Sequence, residues 1–329
     1  MDSIRVVGFG AMNLDALYQV QSVLADNETT IKEHQLLPGG SAANTIYGLA
    51  KLGISTSFIG AVGTDKEGEL LLQDLREVGV DASQIKVKEH AKTGSVLGLT
   101  DSHGNRALYV AAGANSLLAR EDISLEHIEQ AELIHLSSFA DDLQFELQKW
   151  VVSNLPQSVK ISFTPGALYA IKGLKALAPL LSKTYLLFLN QNELCQLTGE
   201  DVPVGAESCL KQGCHIVAVT LGKGTKLEIG KGASHRTVIA VCYIRDSHNE
   251  YVIESDSQNI VSEVDTTGAG DAFATGFLYG LLKGKNREEC GRIGNIVARF
   301  SITKVGARQG LPTLIELSRR YQELYNEQL

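Results

Sequence analysis

Short apolar runs with no strict alternation take turns along the chain with longer stretches whose apolar residues recur at helical spacing. Ile4–Gly10 (IRVVGFG) predicts a buried strand running into a glycine turn. Thr56–Gly63, LIHLSS (133–138), VKISF (159–163), YLLFLN (185–190) and Cys214–Gly222 predict further apolar strands, the last ending at its glycine. Between them, Ser41–Gly53, Glu67–Gly79, 143–155, Ala272–Leu282, Glu288–Lys304 and Thr313–Tyr325 predict helices. Ser41 is placed near the N-cap of its helix and Gly53 just past the end. Unalternating strands separated by amphipathic helices predict an α/β fold, a mostly parallel central sheet flanked by helices on both faces.

Two stretches break that rhythm. Leu14–Leu37 and Thr93–Tyr109 are more polar and β-like, and Thr100–Arg106 (TDSHGNR) reads as a hairpin turn. They predict a small β lid of residues 14–37 and 93–109, over a main domain of 1–13, 38–92 and 110–329. Gly230–Ser257 reads as strands and loops to which no function is assigned. There is no internal repeat or low-complexity tract.

Composition narrows the classes. The 329 residues are 44% hydrophobic and 21% charged, as expected of a soluble protein with a sizeable core. A net charge of −8 argues against nucleic acid or an anionic membrane as the main partner. No apolar run reaches the roughly 18–20 residues of a membrane span, and the acid at position 2 does not suit a secretory signal. Asn27–Thr29 matches a glycosylation acceptor, which carries no weight without secretion. Five cysteines in a chain this long are no disulfide framework, so a reduced cytoplasmic setting is expected. Cys209 and Cys214, followed by His215, lack a second ligand cluster, and the two cysteines read as semi-buried thiols at a helix–strand junction.

Candidate chemistry sits in glycine-rich turns. After the first strand, Asn13 stands where a dinucleotide fingerprint wants its third glycine, and no helix pattern follows, which disfavours a Rossmann oxidoreductase. Residues 265–273 (DTTGAGDAF) put Gly268, Ala269 and Gly270 before Asp271 at a helix start. Unsatisfied amides and the helix dipole there suit a phosphate, and small residues let it approach the backbone. Asp271 could accept a proton from a substrate hydroxyl beside that phosphate, or it could merely cap the helix. Pro38–Asn44 (PGGSAAN) repeats the device, with Asn44 near the helix start. Glu193, three residues after Asn190, suits either a helix cap or a hydrated Mg²⁺. Thr220–Thr225 (TLGKGT) is a strand-to-turn segment with backbone open to a ligand.

Taken together these motifs resemble the ribokinase-like carbohydrate kinases, the phosphofructokinase B family. GGSAANTIYGLAKLG looks like the family's N-terminal signature and DTTGAGDAF its C-terminal one, with Asn190-x-x-Glu193 and VTLGKGT between them in the family's order. The likeness runs from VVGFGAMNLD to KVGARQGLP. It implies the ribokinase-like fold with a small β-sheet lid that closes over the substrate and mediates a homodimer. Asp271 would be the catalytic base, and the amides of Gly268, Ala269 and Gly270 an anion hole for the γ-phosphoryl group. Asp15, Gly39, Gly40 and Asn44, with Asn13 nearby, would hold substrate hydroxyls. Asn190 and Glu193 would organise Mg²⁺ and the phosphates of ATP, Glu193 through water. Thr220, Gly222 and Gly224 would line the nucleotide and Asn295 its base. The family's monovalent-cation loops fall near Asp265–Thr267 and Gly306, and K⁺ stays open.

Two departures from the family pattern stand out. Thr275 occupies a place where the family has a smaller residue, expected to be tolerated. Ser137 and Ser138 stand where ribokinases carry a sugar-touching acid, which puts ribose itself in doubt. SFTPG (162–166) resembles archaeal nucleoside kinases of the same family. The expected activity is ATP-dependent transfer of phosphate to a primary hydroxyl of a sugar or sugar-containing molecule. The alternatives are a nucleoside kinase of the same fold or a non-catalytic sugar or nucleotide sensor.

Overall fold

The computed structural model describes residues 4–24, 26–101, 103, 106–229, 236–255 and 263–329. Its strands in chain order begin with β1 (Val6–Phe9), β2 (Asn13–Val20), β3 (Ile31–Gly39), β4 (Thr56–Gly63), β5 (Ile85–Lys88), β6 (Gly94–Thr100) and β7 (Arg106–Ala111). They continue with β8 (Leu133–Ser137), β9 (Lys160–Thr164), β10 (Leu186–Asn190), β11 (Ile216–Ile229), β12 (Arg236–Asp246) and β13 (Glu250–Glu254). The helices are α1 (Ser41–Lys51), α2 (Lys66–Glu77), α3 (Leu125–Glu129), α4 (Asp142–Asn154), α5 (Gly166–Ala170) and α6 (Gly173–Leu181). After them come α7 (Gln191–Thr198), α8 (Val202–Lys211), α9 (Ala269–Leu282), α10 (Arg287–Ser301) and α11 (Leu314–Tyr325).

The main sheet has the order β13-β12-β11-β10-β9-β8-β1-β4-β5, parallel from β11 to β5 with an antiparallel β12–β13 edge. Period two explains why its strands are apolar throughout. Leu187, Leu189, Val217 and Val219 enter one core, while Leu186, Phe188, Ile216 and Ala218 enter the other. Helices α4 to α8 cover the first face, and α1, α2, α9, α10 and α11 the second. Every residue from Ala272 to Gly280 is buried, so α9 is apolar all round because it lies inside the protein. No helix among the described residues is long and apolar enough to cross a membrane.

The two β-like stretches form a second sheet, β3-β2-β6-β7, with a parallel β2–β6 pair at its centre. Asn13 already belongs to β2, and β3 runs on through Pro38 and Gly39. An edge strand tolerates that proline, which has no N–H to give. Thr100 pairs with Arg106, so the expected hairpin is present, although residues 102, 104 and 105 of its turn lie outside the described residues.

Several boundaries differ from the pattern reading. The strand expected to stop at Gly222 continues to Ile229, because Gly222 (φ 58°) and Gly224 (φ 119°) absorb a register shift between Thr220 and Thr225. Helix α9 begins at Ala269, three residues before the apolar periodicity, since first-turn residues need no apolar face. Ser41 is the first residue of α1 and makes no cap; Gly40 holds that position at φ 99°. Helix α10 stops at Ser301 rather than Lys304. Of the segment 230–257, residues 236–246 and 250–254 form β12 and β13; residues 230–235 and 256–257 lie outside the described residues.

Candidate active site

Parallel strands of this kind gather functional residues at their C-terminal ends. There, Thr164 ends β9, Asn190 ends β10 and Thr220 sits at the bulge of β11. With Ser41, Glu193 and Gly268–Asp271 they line a cavity of about 280 Å³.

The α9 start is built for close approach. Gly268 is its N-cap at φ 74°, and a Cβ there would fall 2.3 Å from the Cβ of Ala307. A Cβ on Gly270 would meet nothing within 4 Å, so this peptide faces open space. First-turn amides lack intrahelical acceptors. Ala269 donates its own back to the Thr266 carbonyl at 3.2 Å, leaving the amides of Gly268, Gly270 and Asp271 to meet an anion. Asp265 fixes the turn: it accepts from Thr267 N (2.9 Å) and Oγ1 (2.7 Å), and from Gly306 N at 2.8 Å.

Asp271 does not cap its helix. Its Oδ1 accepts from Ser41 Oγ at 2.6 Å and its Oδ2 from Asn44 Nδ2 at 2.8 Å, so the carboxylate is bound across to α1. Burial pushes its pKa up to about 6, against the pull of those two bonds and of the Arg308 charge. Such a group is ionised at neutral pH and still basic enough to take a proton.

Behind Asn44 stands Arg308, only 3% exposed. Its Nε donates to Asn44 Oδ1 at 2.9 Å, a second nitrogen pairs with Asp74, and a third donates to the Gly39 carbonyl at 3.2 Å. The guanidinium lies 5.2 Å over the Tyr47 ring. One buried cation thus ties α2, the end of β3 and the start of α1 to the carboxylate.

Asn190 and Glu193 form a reciprocal capping box, Asn190 Oδ1 taking the Glu193 amide and Glu193 Oε2 the Asn190 amide, both at 2.9 Å. Glu193 also lines the cavity, so its two sequence readings are compatible: Oε2 caps and Oε1 is left over. Burial raises its pKa, the Asn190 amide lowers it, and the Asp271 charge raises it further. No cluster of three His, Cys, Asp or Glu occurs among the described residues.

At the root of the second sheet, Asn13 is buried and accepts from Asn115 Nδ2 at 3.0 Å. The Asp15 carboxylate lies against Gly39, where a Cβ would come within 2.3 Å of it, and a Cβ on Gly40 would come within 2.2 Å of the Ala11 carbonyl oxygen. Gly222 and Gly224 belong to the β11 bulge, outside the cavity lining. Asn295 lines a separate hollow with Glu254, Arg299 and Tyr325. Ser137 Oγ accepts the Ala42 amide at 3.0 Å and so serves the start of α1 from the end of β8. Cys209 and Cys214 are fully buried rather than semi-buried, with thiol pKa values raised by burial.

Three residues of the site escaped the sequence reading. Ser41 is read only as a residue near a helix cap, Asn115 sits in an unremarked AAGANSLL stretch, and Arg308 lies in an irregular loop. The one available signal for Arg308 is an arginine inside an apolar, glycine-punctuated segment.

The model of the pfkB family carbohydrate kinases matches residues 3–314. An uncharacterized sugar kinase from Archaeoglobus fulgidus is 39% identical over 82% of this chain and 100% of its own length. An ATP-dependent ribose-1-phosphate kinase from Halopiger xanaduensis is 29% identical over 93% of this chain and 94% of its own. The solved structure of Arabidopsis thaliana ribokinase complexed with ribose and ATP superposes with a TM-score of 0.77 at 24% identity, covering 96% of this chain and 98% of that one.

Proposed function

Because the chain belongs to the pfkB family of carbohydrate kinases, we propose that the cavity around Asp271 transfers the γ-phosphoryl group of ATP to a primary hydroxyl of a sugar or sugar-containing small molecule. One observation carries this reading: the Asp271 carboxylate, held by Ser41 and Asn44, lines one cavity with Gly268, Ala269 and Gly270 at the start of its own helix. Asp271 takes the hydroxyl proton, and the amides of Gly268, Gly270 and Asp271 hold the charge of the migrating group. Asn44 orients the base and Arg308 orients Asn44. Asp15, Gly39 and Gly40 shape the sugar side, with Asn13 behind them. Glu193 would hold a Mg²⁺ ion through water, and the ion would supply charge neutralisation on the phosphates, while Asn190 keeps Glu193 in place. Thr220, with Gly222 and Gly224 beyond it, lies on the nucleotide side; the base position assigned to Asn295 finds no support in its separate hollow.

A sugar acceptor is favoured over a nucleoside, since the two relatives are a sugar kinase and a sugar-phosphate kinase by name. The second sheet serves as the lid and dimer interface. Leu36, Ala16, Leu97 and Tyr109 form one cross-strand row, in which Leu36, Leu97 and Tyr109 are 56%, 41% and 60% exposed. Five free thiols, four of them buried, are compatible with a reduced cytoplasmic setting.

The test is Asp271→Asn, assayed against a panel of sugars, sugar phosphates and nucleosides. Phosphoryl transfer should fall on the order of 10²–10⁴-fold while ATP binding persists. An undiminished rate would remove Asp271 from the mechanism. ATP and sugar binding without turnover in the unsubstituted protein would favour the sensor instead.

A further inference from the structure

Ser41 does not do the work its position suggests. A serine at a helix start usually gives its oxygen to an amide of its own first turn. Here the Ala42 amide is served from another strand by Ser137, and Ser41 makes no cap. Its hydroxyl instead donates to Asp271 Oδ1 at 2.6 Å, inside the cavity that both residues line. Asn44 holds the other oxygen, so each oxygen of the carboxylate has a donor from α1.

The group on Oδ1 is itself a primary alcohol, of the chemical kind the proposed reaction deprotonates. A sugar hydroxyl therefore competes with Ser41 for Oδ1 inside the cavity that both residues line. Water is the competing nucleophile in any phosphoryl transfer, and at 55 M it needs only a lone pair on Asp271 to be oriented against a bound phosphate. Each carboxylate oxygen has two lone pairs, and a hydroxyl anchored on a rigid helix takes one of those on Oδ1, leaving water fewer places at which to be oriented. It would yield to an acceptor whose other hydroxyls are held by neighbouring groups.

We propose that Ser41 is a specificity-determining residue that occupies Asp271 until the sugar arrives and so suppresses sugar-independent hydrolysis of ATP. The suppressed reaction balances simply: water gives its proton to Asp271, a bond forms from its oxygen to the γ-phosphorus, and the bond to ADP breaks. This inference rests on the assignment of Asp271 as the base.

The experiment uses ATP and Mg²⁺ alone, with release of inorganic phosphate as the readout. Ser41→Ala should raise sugar-free hydrolysis about tenfold or more over the unsubstituted enzyme. Ser41→Thr, which keeps the hydroxyl, should stay low. Ser41→Cys, a poor donor of similar size, gives a second reading should the alanine variant fold badly, and should also rise. No rise in a folded Ser41→Ala or Ser41→Cys enzyme overturns the proposal. So does a rise that persists in Ser41→Ala/Asp271→Asn, because the water is then not drawn by Asp271. Sugar phosphorylation by Asp271→Asn alone reports separately on the base assignment, so the two failures can be told apart.

Discussion

Arg308 reaches Asn44 through its Nε at 2.9 Å, and Asn44 in turn holds Asp271 Oδ2 at 2.8 Å. The base is therefore oriented through one intervening residue by a cation that is itself anchored on Asp74. Removing one member of a buried pair costs about 3–5 kcal/mol, and Asp74 is partly exposed, which places Arg308→Met near the low end. Urea denaturation should show a loss of about 3 kcal/mol, and phosphoryl transfer should fall at least about tenfold from misorientation. Arg308→Lys keeps the charge but loses the three-way geometry, and should recover stability better than rate. Wild-type turnover in Arg308→Met would mean that Asn44 positions the base unaided.

The raised pKa of Asp271 has a rate consequence and a stability consequence. Loss of the proton acceptor below about pH 6 predicts an acid limb in kcat/KM near that value. The folded state binds this proton more tightly than the unfolded chain, so stability falls as pH rises from about 4 to about 6, and the whole penalty is present above that. A shift of roughly two units corresponds to about 2–3 kcal/mol. In Asp271→Asn the penalty disappears, less about 1 kcal/mol because one amide proton now faces Asn44. The inactive variant should thus be more stable by about 1–2 kcal/mol at pH 7.5, with the gain shrinking below pH 6 and gone near pH 4. Melting curves across that range check the sign.

The apolar runs revealed the parallel sheet because both of its faces are buried, which leaves Leu186–Leu189 and Ile216–Val219 no polar side to alternate with. The glycine turns at Gly39–Gly40 and Gly268–Gly270 were legible because a backbone that must approach something needs residues without side chains. Arg308 was not, since long-range contacts from an irregular loop leave no period. The role of Ser41 is hidden for a related reason: local propensity makes a serine at a helix start its own cap, while the oxygen that accepts the Ala42 amide comes from Ser137, 95 residues away. The end of β11 was misplaced because a glycine that terminates one strand merely bulges another.

Glu193 does two jobs that one substitution can separate. Glutamine supports a capping box as glutamate does, so Glu193→Gln should keep the α7 start and shift the melting temperature little. What it removes is the negative charge facing the cavity. The Mg²⁺ concentration for half-maximal phosphoryl transfer should rise about tenfold, since Mg²⁺ is held chiefly through carboxylates and water. A titration that superposes on that of the unsubstituted enzyme would leave Glu193 a helix cap and nothing more.

The row Leu36, Leu97 and Tyr109 sets a test for the proposed dimer. A contiguous apolar patch on a two-sided sheet wants a partner, and a second copy offers the same patch. Charges at its centre, as in Leu97→Lys/Tyr109→Glu, should convert a dimer to a monomer in sedimentation velocity at micromolar concentration. The main-domain melting should change little, because these side chains are exposed within one chain. A monomer before substitution would contradict the assignment.

Thr275 fits because of Gly48. The threonine is buried on α9, and a Cβ built on Gly48 of α1 would fall 2.7 Å from both its Cγ2 and its Oγ1. Its hydroxyl donates to the Asp271 carbonyl at 2.9 Å, within the turn that carries the base. Gly48→Ala therefore drives α1 away from α9, and overpacking of this kind costs about 1–3 kcal/mol. Thr275→Ala alone leaves a small void and a lost hydrogen bond, about 1 kcal/mol. Combined, the two should cost less than their sum by about 1 kcal/mol or more, because the second makes the room the first lacks. Urea midpoints of the four proteins measure that coupling. Strict additivity would show that the glycine serves something other than this contact, and that the threonine is tolerated for another reason.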